Sequence, residues 1–378
     1  MNCKEFEKNI PDFIAGKLDF QTLQEFGEHM RECPGCKEEL VIQFLVTEGM
    51  QRLEDGDAFD LQRELELRLA EAKRKVEEAI SKTGYVPNGL ARGLVTRRRN
   101  LIAVIIPEES NPFYVDIQSA INEVAAQNDM SAILVTQNEN GRRTTVERVL
   151  EMGIDGFIHL GALENDSIIP MLAQTGTPFV LLDRHLPGVQ ADKVLFDNHH
   201  SGFAATEYML SLGHRRIAYV FGSPSSFSSW DKYQGYVDAL REHCIPMDSK
   251  LVVSGMLSFD SSYRVMQNLL DERESLGFTA VICGSDYMAL GARQAILERG
   301  LRIPEDLSIL GMDDIFYTRL AGVGLTTIRA PSSESGRLAA KLLIERIANP
   351  SKEQETHILE TELICRESCC PLKGEENI

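Results

Sequence analysis

The chain contains no apolar run near the roughly twenty residues that a membrane span requires. Its first residues carry Glu5 and Glu7 and no apolar h-region, which argues against a secretory leader, so a cytoplasmic protein is expected. Its eight cysteines (Cys3, Cys33, Cys36, Cys244, Cys283, Cys365, Cys369 and Cys370) do not have the spacing of a disulfide framework. Cys283, inside the apolar run TAVICG, reads as a small core residue; Cys369 and Cys370 read as a frayed tail or a redox pair. Gly-x4-Gly-Lys-Ser/Thr, Gly-x-Ser-x-Gly and His-Glu-x2-His are all missing, and no enzyme is expected. The pair His199-His200 opens a helical segment, where adjacent side chains diverge, and reads as surface. Positive charge is also scarce. The net charge of −18 disfavours nucleic-acid binding through the general field. One island departs from this: no acid lies between Glu78 and Glu108, while Lys82, Arg92, Arg97, Arg98 and Arg99 do.

With 378 residues the chain is long enough for two or three domains. From residue 100 to about 368, short β-branched runs alternate with helical ones. LIAVII, SAILVT, DGFIHL, PFVLLD, RIAYVF, TAVICG and LSILGMD read as strands buried on both faces, separated by helices such as VDIQSAINEVAAQ and MALGARQAILERG. That alternation predicts doubly wound parallel α/β sheets. The length suits two lobes, with a ligand bound in the cleft at the carboxyl ends of the strands. Upstream, Leu61, Leu65, Leu69, Ala72, Val76 and Ile80 recur at spacings of three or four, predicting an amphipathic helix over Asp60–Lys82 that stops at Gly84.

The first 45 residues carry His29-x3-Cys33-x2-Cys36 with Cys3 upstream. Three thiolates and an imidazole suit a closed tetrahedral Zn²⁺ site. His29 and Cys33, four apart, share a helix face, and Pro34-Gly35 turns Cys36 back toward them. So short a head cannot bury enough surface to fold unaided, which makes a metal staple physically reasonable. Acids outnumber bases from Met1 to Glu78, and no helix there offers a face for major-groove base edges, so the head is expected to bind protein. The pattern closely resembles the zinc-binding anti-sigma-factor module, which implies a sigma factor or another regulator as a partner.

Beyond the head, Thr83 to Tyr114 resembles the junction of lactose-repressor-family (LacI/GalR-type) regulators. Pro87-Asn88-Gly89-Leu90-Ala91-Arg92-Gly93-Leu94 has every position of the hinge helix that this family folds when two subunits pair on DNA. The resemblance implies Leu94 as a minor-groove wedge, Asn88 and Arg92 as groove and backbone contacts, and Ala91 as a site of close approach. The competing reading is a connector kept after the head was exchanged: Gly89 and Gly93 each cost a helix roughly 1 kcal/mol. Without a recognition helix, any DNA binding is expected to be weak and salt-sensitive.

The resemblance continues from Asn100 to Ser368 through SNPFY, PFVLLDRH, FDNHHSGFAATEYMLSLGHRRIAYV, GSDYMALGA, IPEDLSILGMDD and GLTTIRAP. It implies a periplasmic-binding-protein-like sensor whose effector contacts fall on Phe113, Tyr114, Asp183, Arg184, Lys232, Phe259, Ser285, Asp286 and Asp313. Lys232 stands where the family usually has Arg, and Ser285 where it usually has Asn. Phe227 and Trp230 lie near the expected cleft loop. Carboxylates and aromatic faces suit a sugar-like or nucleoside-like effector.

The expected organisation is a zinc module (1–45), a helical connector (46–82), a hinge helix and basic linker (83–99), a two-lobed sensor (100–368) and a tail (369–378). The expected function is an effector-responsive, homodimeric transcription regulator. The alternative is a ligand-gated protein-interaction sensor working through the zinc head.

Overall fold

The computed structural model describes residues 1–44, 46–47, 67, 70–71, 74, 99–106, 111–136, 142–161, 168–184, 188–320 and 322–372. The chain divides into two compact units, Met1–Arg92 and Gly93–Ile378. The hinge residues Asn88, Ala91, Arg92 and Leu94 lie outside the described residues. So does the helix expected over Asp60–Lys82, except for Leu67, Ala70, Glu71 and Arg74, which are helical.

In the first unit, helices run over Cys3–Ile14, Phe20–Glu32 and Pro34–Phe44. Asn2 and Glu5 form a reciprocal capping box at the first, and Asp19 caps the second by accepting from Thr22 N. Phe26 is stacked between Phe6 and Phe13, with ring centroids 4.0 and 4.7 Å away. Ile10, Leu40 and Phe44 complete a small core.

The second unit contains twelve described strands. Strands β1 (Leu101–Ile106), β2 (Ser131–Thr136), β3 (Gly156–Leu160), β4 (Phe179–Leu182) and β5 (Asp192–Phe196) come first. Then follow β6 (Ile217–Phe221), β7 (Val252–Ser254), β8 (Ala280–Cys283), β9 (Ser308–Asp313), β10 (Thr326–Arg329), β11 (Thr356–Leu359) and β12 (Glu362–Ile364). They form two six-stranded sheets in the orders β2-β1-β3-β4-β5-β11 and β7-β6-β8-β9-β10-β12. All pairings are parallel except β10 with β12. Each sheet is one lobe, and the parallel order with intervening helices is the doubly wound arrangement expected.

Six of the seven expected strands are buried along their length, as strands covered on both faces should be. SAILVT is the exception. As β2 it is the edge of its sheet, and Leu134 is exposed, so the expectation of two-sided burial is corrected there. Cys283 sits fully buried in the lobe-two core.

The chain crosses between lobes three times. It leaves β5 for the helix Asn198–Ser211, which packs in lobe two against the helix Phe227–Glu242. It returns after β10 into the helix Ser332–Ala348, which packs on the helix Phe113–Gln127 in lobe one. The last crossing runs from β11 to β12. Beyond β12 the chain is not frayed: Cys369 Sγ donates to Ile309 O at 3.2 Å, Cys370 N donates to Ser308 Oγ, and Leu372 N donates to Leu212 O. The tail reading of Cys369 and Cys370 is therefore corrected. Both lie against lobe two because Ser368 ties this stretch to Ile309 and Thr326.

Candidate functional site

Two acids stand at the carboxyl ends of central strands, one from each lobe. Asp183 follows β4 and Asp313 ends β9, with φ of 54° and 117°. Positive φ is costly for residues with a Cβ, and such strain collects where a side chain must be aimed at a site. Lys232 comes from the helix Phe227–Glu242, which lies unusually close to the helix Asn198–Ser211. A Cβ on Gly202 would stand 1.8 Å from Lys232 O, so only glycine permits that approach. Lys232 Nζ lies 3.5 Å from Asp313 Oδ1 and donates to Gly284 O at 3.1 Å.

Asp183, Asp313 and Lys232 line one small cavity between the lobes, with Phe113, Asn198 and Thr361 among its walls. Its free volume is about 10 Å³, room for about one water, so the lobes are drawn together. Arg184, buried, places its guanidinium 5.5 Å from the ring centroid of Phe227, a cation–π contact across the cleft. Burial pushes the Asp183 carboxyl up, while Lys232 and a hydrogen bond from Asn198 Nδ2 (3.0 Å) pull it back. Burial also pushes Asp313 up, to about 6, with Lys232 opposing and Asp183 adding to the rise.

The other expected contacts are distributed differently. Phe113 lines the cavity, edge-on to Tyr114 and Phe196, whereas Tyr114 packs against the lobe-one core. Ser285 caps its helix by accepting from Met288 N. Asp286 lies fully buried behind the cavity wall, where it accepts from Thr327 Oγ1 (2.7 Å) and Ile315 N (3.0 Å). Burial, then Asp313, push its carboxyl up to about 8. Phe259 is not gathered with the acids; it lines a separate apolar groove with Leu290, Leu297, Tyr317 and Leu320. Trp230 is 43% exposed, packs on Phe221 and Tyr233, and is not among the cavity walls. His199 and His200 are exposed, His199 against Asp238. Sequence reading missed Phe196, Asn198, Ser201, Met312, Ile328, Ala330 and Thr361, which face the same cavity. Phe196, Asn198 and Ser201 flank the first crossing, Ala330 lies on the second and Thr361 on the third, positions no local pattern announces.

In the first unit, ligand atoms of Cys3, His29, Cys33 and Cys36 all lie within 4.8 Å of one another. Cys3 Sγ is 4.0 Å from Cys33 Sγ, and His29 Nε2 is 3.2 Å from Cys36 Sγ. Tetrahedral zinc with bonds of about 2.0–2.3 Å needs donor–donor edges of this order, so the set fits the ion. Burial and the two neighbouring thiols push Cys36 up to about 12, a repulsion that a divalent cation would relieve.

Comparison with known proteins follows the same division. The family described as periplasmic binding proteins and sugar binding domain of LacI family matches residues 99–368, most of the chain. The chain belongs to the LacI family. A zinc-finger family matches residues 3–37, in place of the usual helix-turn-helix. The Haemophilus influenzae ribose operon repressor is 32% identical to this LacI-family chain over 305 residues, 80% of the chain and 91% of the relative. The Escherichia coli (strain K12) repressor CytR is 33% identical over 301 residues, 78% of the chain and 87% of the relative. Among solved structures, a LacI family regulator from Enterococcus faecium with bound ribose aligns at TM-score 0.66 and 31% identity, covering 72% of this chain and all of that one. A CelR–cellobiose complex aligns at TM-score 0.68 and 30% identity, covering 79% and 90%. The relatives are transcriptional regulators. Among the described residues, no helix is long and apolar enough to cross a membrane.

Proposed function

We propose that this chain is an effector-responsive transcription regulator, not an enzyme, whose cleft takes a neutral, sugar-like polyol. The observation that carries this is the convergence of Asp183, Asp313 and Lys232 on one interlobe cavity within a LacI-family sensor. Carboxylates accept hydroxyl hydrogens in pairs. Lys232 is already engaged by Asp313 and Gly284, leaving a phosphate or carboxylate to face two buried acids. A neutral ligand meets no such repulsion.

The effector enters when the lobes swing about the three crossings, and closure onto it carries the change to the hinge containing Asn88, Ala91, Arg92 and Leu94. Phe316, Tyr317, Leu320 and Leu297 are 47–62% exposed around the apolar groove on lobe two, a face suited to a second copy in a homodimer. The head binds structural Zn²⁺ through Cys3, His29, Cys33 and Cys36. The test is titration of zinc-loaded protein against DNA from upstream of its own gene, with random DNA and Leu94→Ala as controls, at several salt concentrations. Preference for the cognate DNA, weakened by the substitution and shifted by a sugar, is expected; equal salt-sensitive binding to both DNAs overturns the DNA-reading part.

A second reading rests on the zinc-finger match at residues 3–37. In that reading the head holds a sigma factor or another regulator, and the cleft gates that contact. A co-purifying protein lost in Cys33→Ser would favour it.

A further inference from the structure

The first and third crossings run side by side. Asp197 N, between β5 and the helix Asn198–Ser211, donates to Leu359 O at the end of β11 (3.1 Å). Two residues further along the third crossing, Thr361 Oγ1 lies 3.0 Å from Ser201 Oγ. Both side chains face the interlobe cavity, and Ser201 is 2% exposed. Their hydrogens have a definite direction. The Ser201 hydroxyl donates to Asp197 O at 2.9 Å, four residues back in its own helix. A serine hydroxyl has one hydrogen, so in the Ser201–Thr361 pair the donor is Thr361. The chain of hydroxyls therefore runs Thr361 to Ser201 to the Asp197 carbonyl. Thr361 Oγ1, as the donor, keeps its acceptor lone pairs free of that bond, and Thr361 is among the residues lining the cavity.

We propose that the Thr361–Ser201 pair is both a clasp between the first and third lobe crossings and a further recognition point for the effector. It accepts one ligand hydroxyl alongside Asp183 and Asp313. The recognition half rests on the polyol reading given above; the clasp half does not. Three acceptors around one cavity select a ligand rich in donors. Because the third acceptor sits on the crossings themselves, a hydroxyl bound there touches the segment about which the lobes rotate. Ligand contact and lobe angle are then joined through one bond, with no intervening chain of residues.

The experiment uses the full-length zinc-loaded protein and the variants Thr361→Val, Thr361→Ser and Ser201→Ala. In the first arm, hydrogen–deuterium exchange is followed without ligand in peptides covering residues 197–202 and 359–363. Thr361→Val is expected to speed exchange in both segments together, Ser201→Ala likewise, and Thr361→Ser in neither. Acceleration confined to the substituted segment, or absent, overturns the clasp. In the second arm, D-ribose, D-xylose, D-glucose and D-galactose are titrated by calorimetry. For the sugar that binds the wild type, Thr361→Val should weaken affinity about tenfold, the size of one lost hydrogen bond, and Thr361→Ser should restore it. A monodeoxy derivative lacking the recognised hydroxyl should bind Thr361→Val and wild type equally. Unchanged affinity in Thr361→Val overturns the recognition half. Failure of all four sugars to bind the wild type overturns the polyol reading and the recognition half with it, while the exchange arm still decides the clasp.

Discussion

Lys232 Nζ and Asp313 Oδ1 stand 3.5 Å apart, their side chains only 13% and 7% exposed, at the cleft end of lobe two. The pair joins the end of a central strand to a helix held in place by the close approach of Gly202. It supplies the one cationic group among the cavity walls given for the described residues.

Removing that cation should be felt first in binding. Lys232→Met is expected to weaken binding of a neutral sugar by about 10- to 100-fold, because hydrogen bonds to charged groups contribute roughly 1.5–3 kcal/mol. Lys232→Arg should be less damaging but not silent, since a planar fork replaces a point charge. Calorimetric titration of both variants checks this; wild-type affinity in Lys232→Met would remove the lysine from the site.

Stability should depend on pH through Asp286 and Asp313. Their folded carboxyls are raised to about 8 and about 6, above the roughly 3.9 of an unfolded aspartate. Between those limits the native chain holds protons that the unfolded chain releases. Their contribution is thus full below about pH 4 and lost as pH rises through the folded values. Thermal melting of the wild type should fall from pH 6 to pH 8 more steeply than that of Asp286→Asn. Parallel curves would show that Asp286 does not titrate there.

Zinc should be confined to the head. One equivalent per chain is expected, released by a strong chelator and reduced in Cys36→Ser, with protons freed on reloading. Loss of metal should expose Met1–Phe44 to protease while melting of the sensor stays constant. Retention of a full equivalent in Cys36→Ser would rule that thiol out as a ligand.

The pair Arg346–Asp192 should prove costly to break. Arg346 donates twice to Asp192 at 2.9 Å and also holds the carbonyls of Pro350, Lys352 and Glu353, while Asp192 accepts from Glu355 N. This ties the loop before β11 to β5. Arg346→Met leaves Asp192, at 2% side-chain exposure, without its partner, and a loss of about 3–5 kcal/mol is expected in denaturant unfolding.

Much of this protein was legible in one dimension. LIAVII, DGFIHL and TAVICG read as strands because parallel strands covered on both faces are continuously apolar. The spacing His29-x3-Cys33-x2-Cys36 was legible, and the fold gathers these side chains with Cys3, but not by the expected local geometry. Cys33 is the extended cap that ends the helix Phe20–Glu32, and Pro34-Gly35 opens the helix Pro34–Phe44 in place of a turn. Asp183, Lys232 and Asp313 were reached through family resemblance, and the fold brings them to one cavity.

Other features depend on how distant segments meet. DKVLF and THIL alternate in burial and gave no clear signal, yet they pair as β5 and β11 and frame two crossings. Phe259 was expected at the cleft; as the first residue of its helix, after the Ser258 cap, it lines the groove beside Leu290 instead. Cys369 and Cys370 had the composition of a free tail, yet hydrogen bonds to β9, His214 and Pro304 and packing against the lobe-two core hold them down. Asn198, Ser201 and Thr361 are ordinary polar residues in sequence, and they acquire a role because three chain crossings converge beneath one cavity. The sequence alone marked seven of the twelve described strands and the His29, Cys33 and Cys36 spacing, because periodicity and short spacing act over a few residues. Tertiary structure decided what the cleft contains, because its walls come from residues brought together across more than two hundred positions of chain.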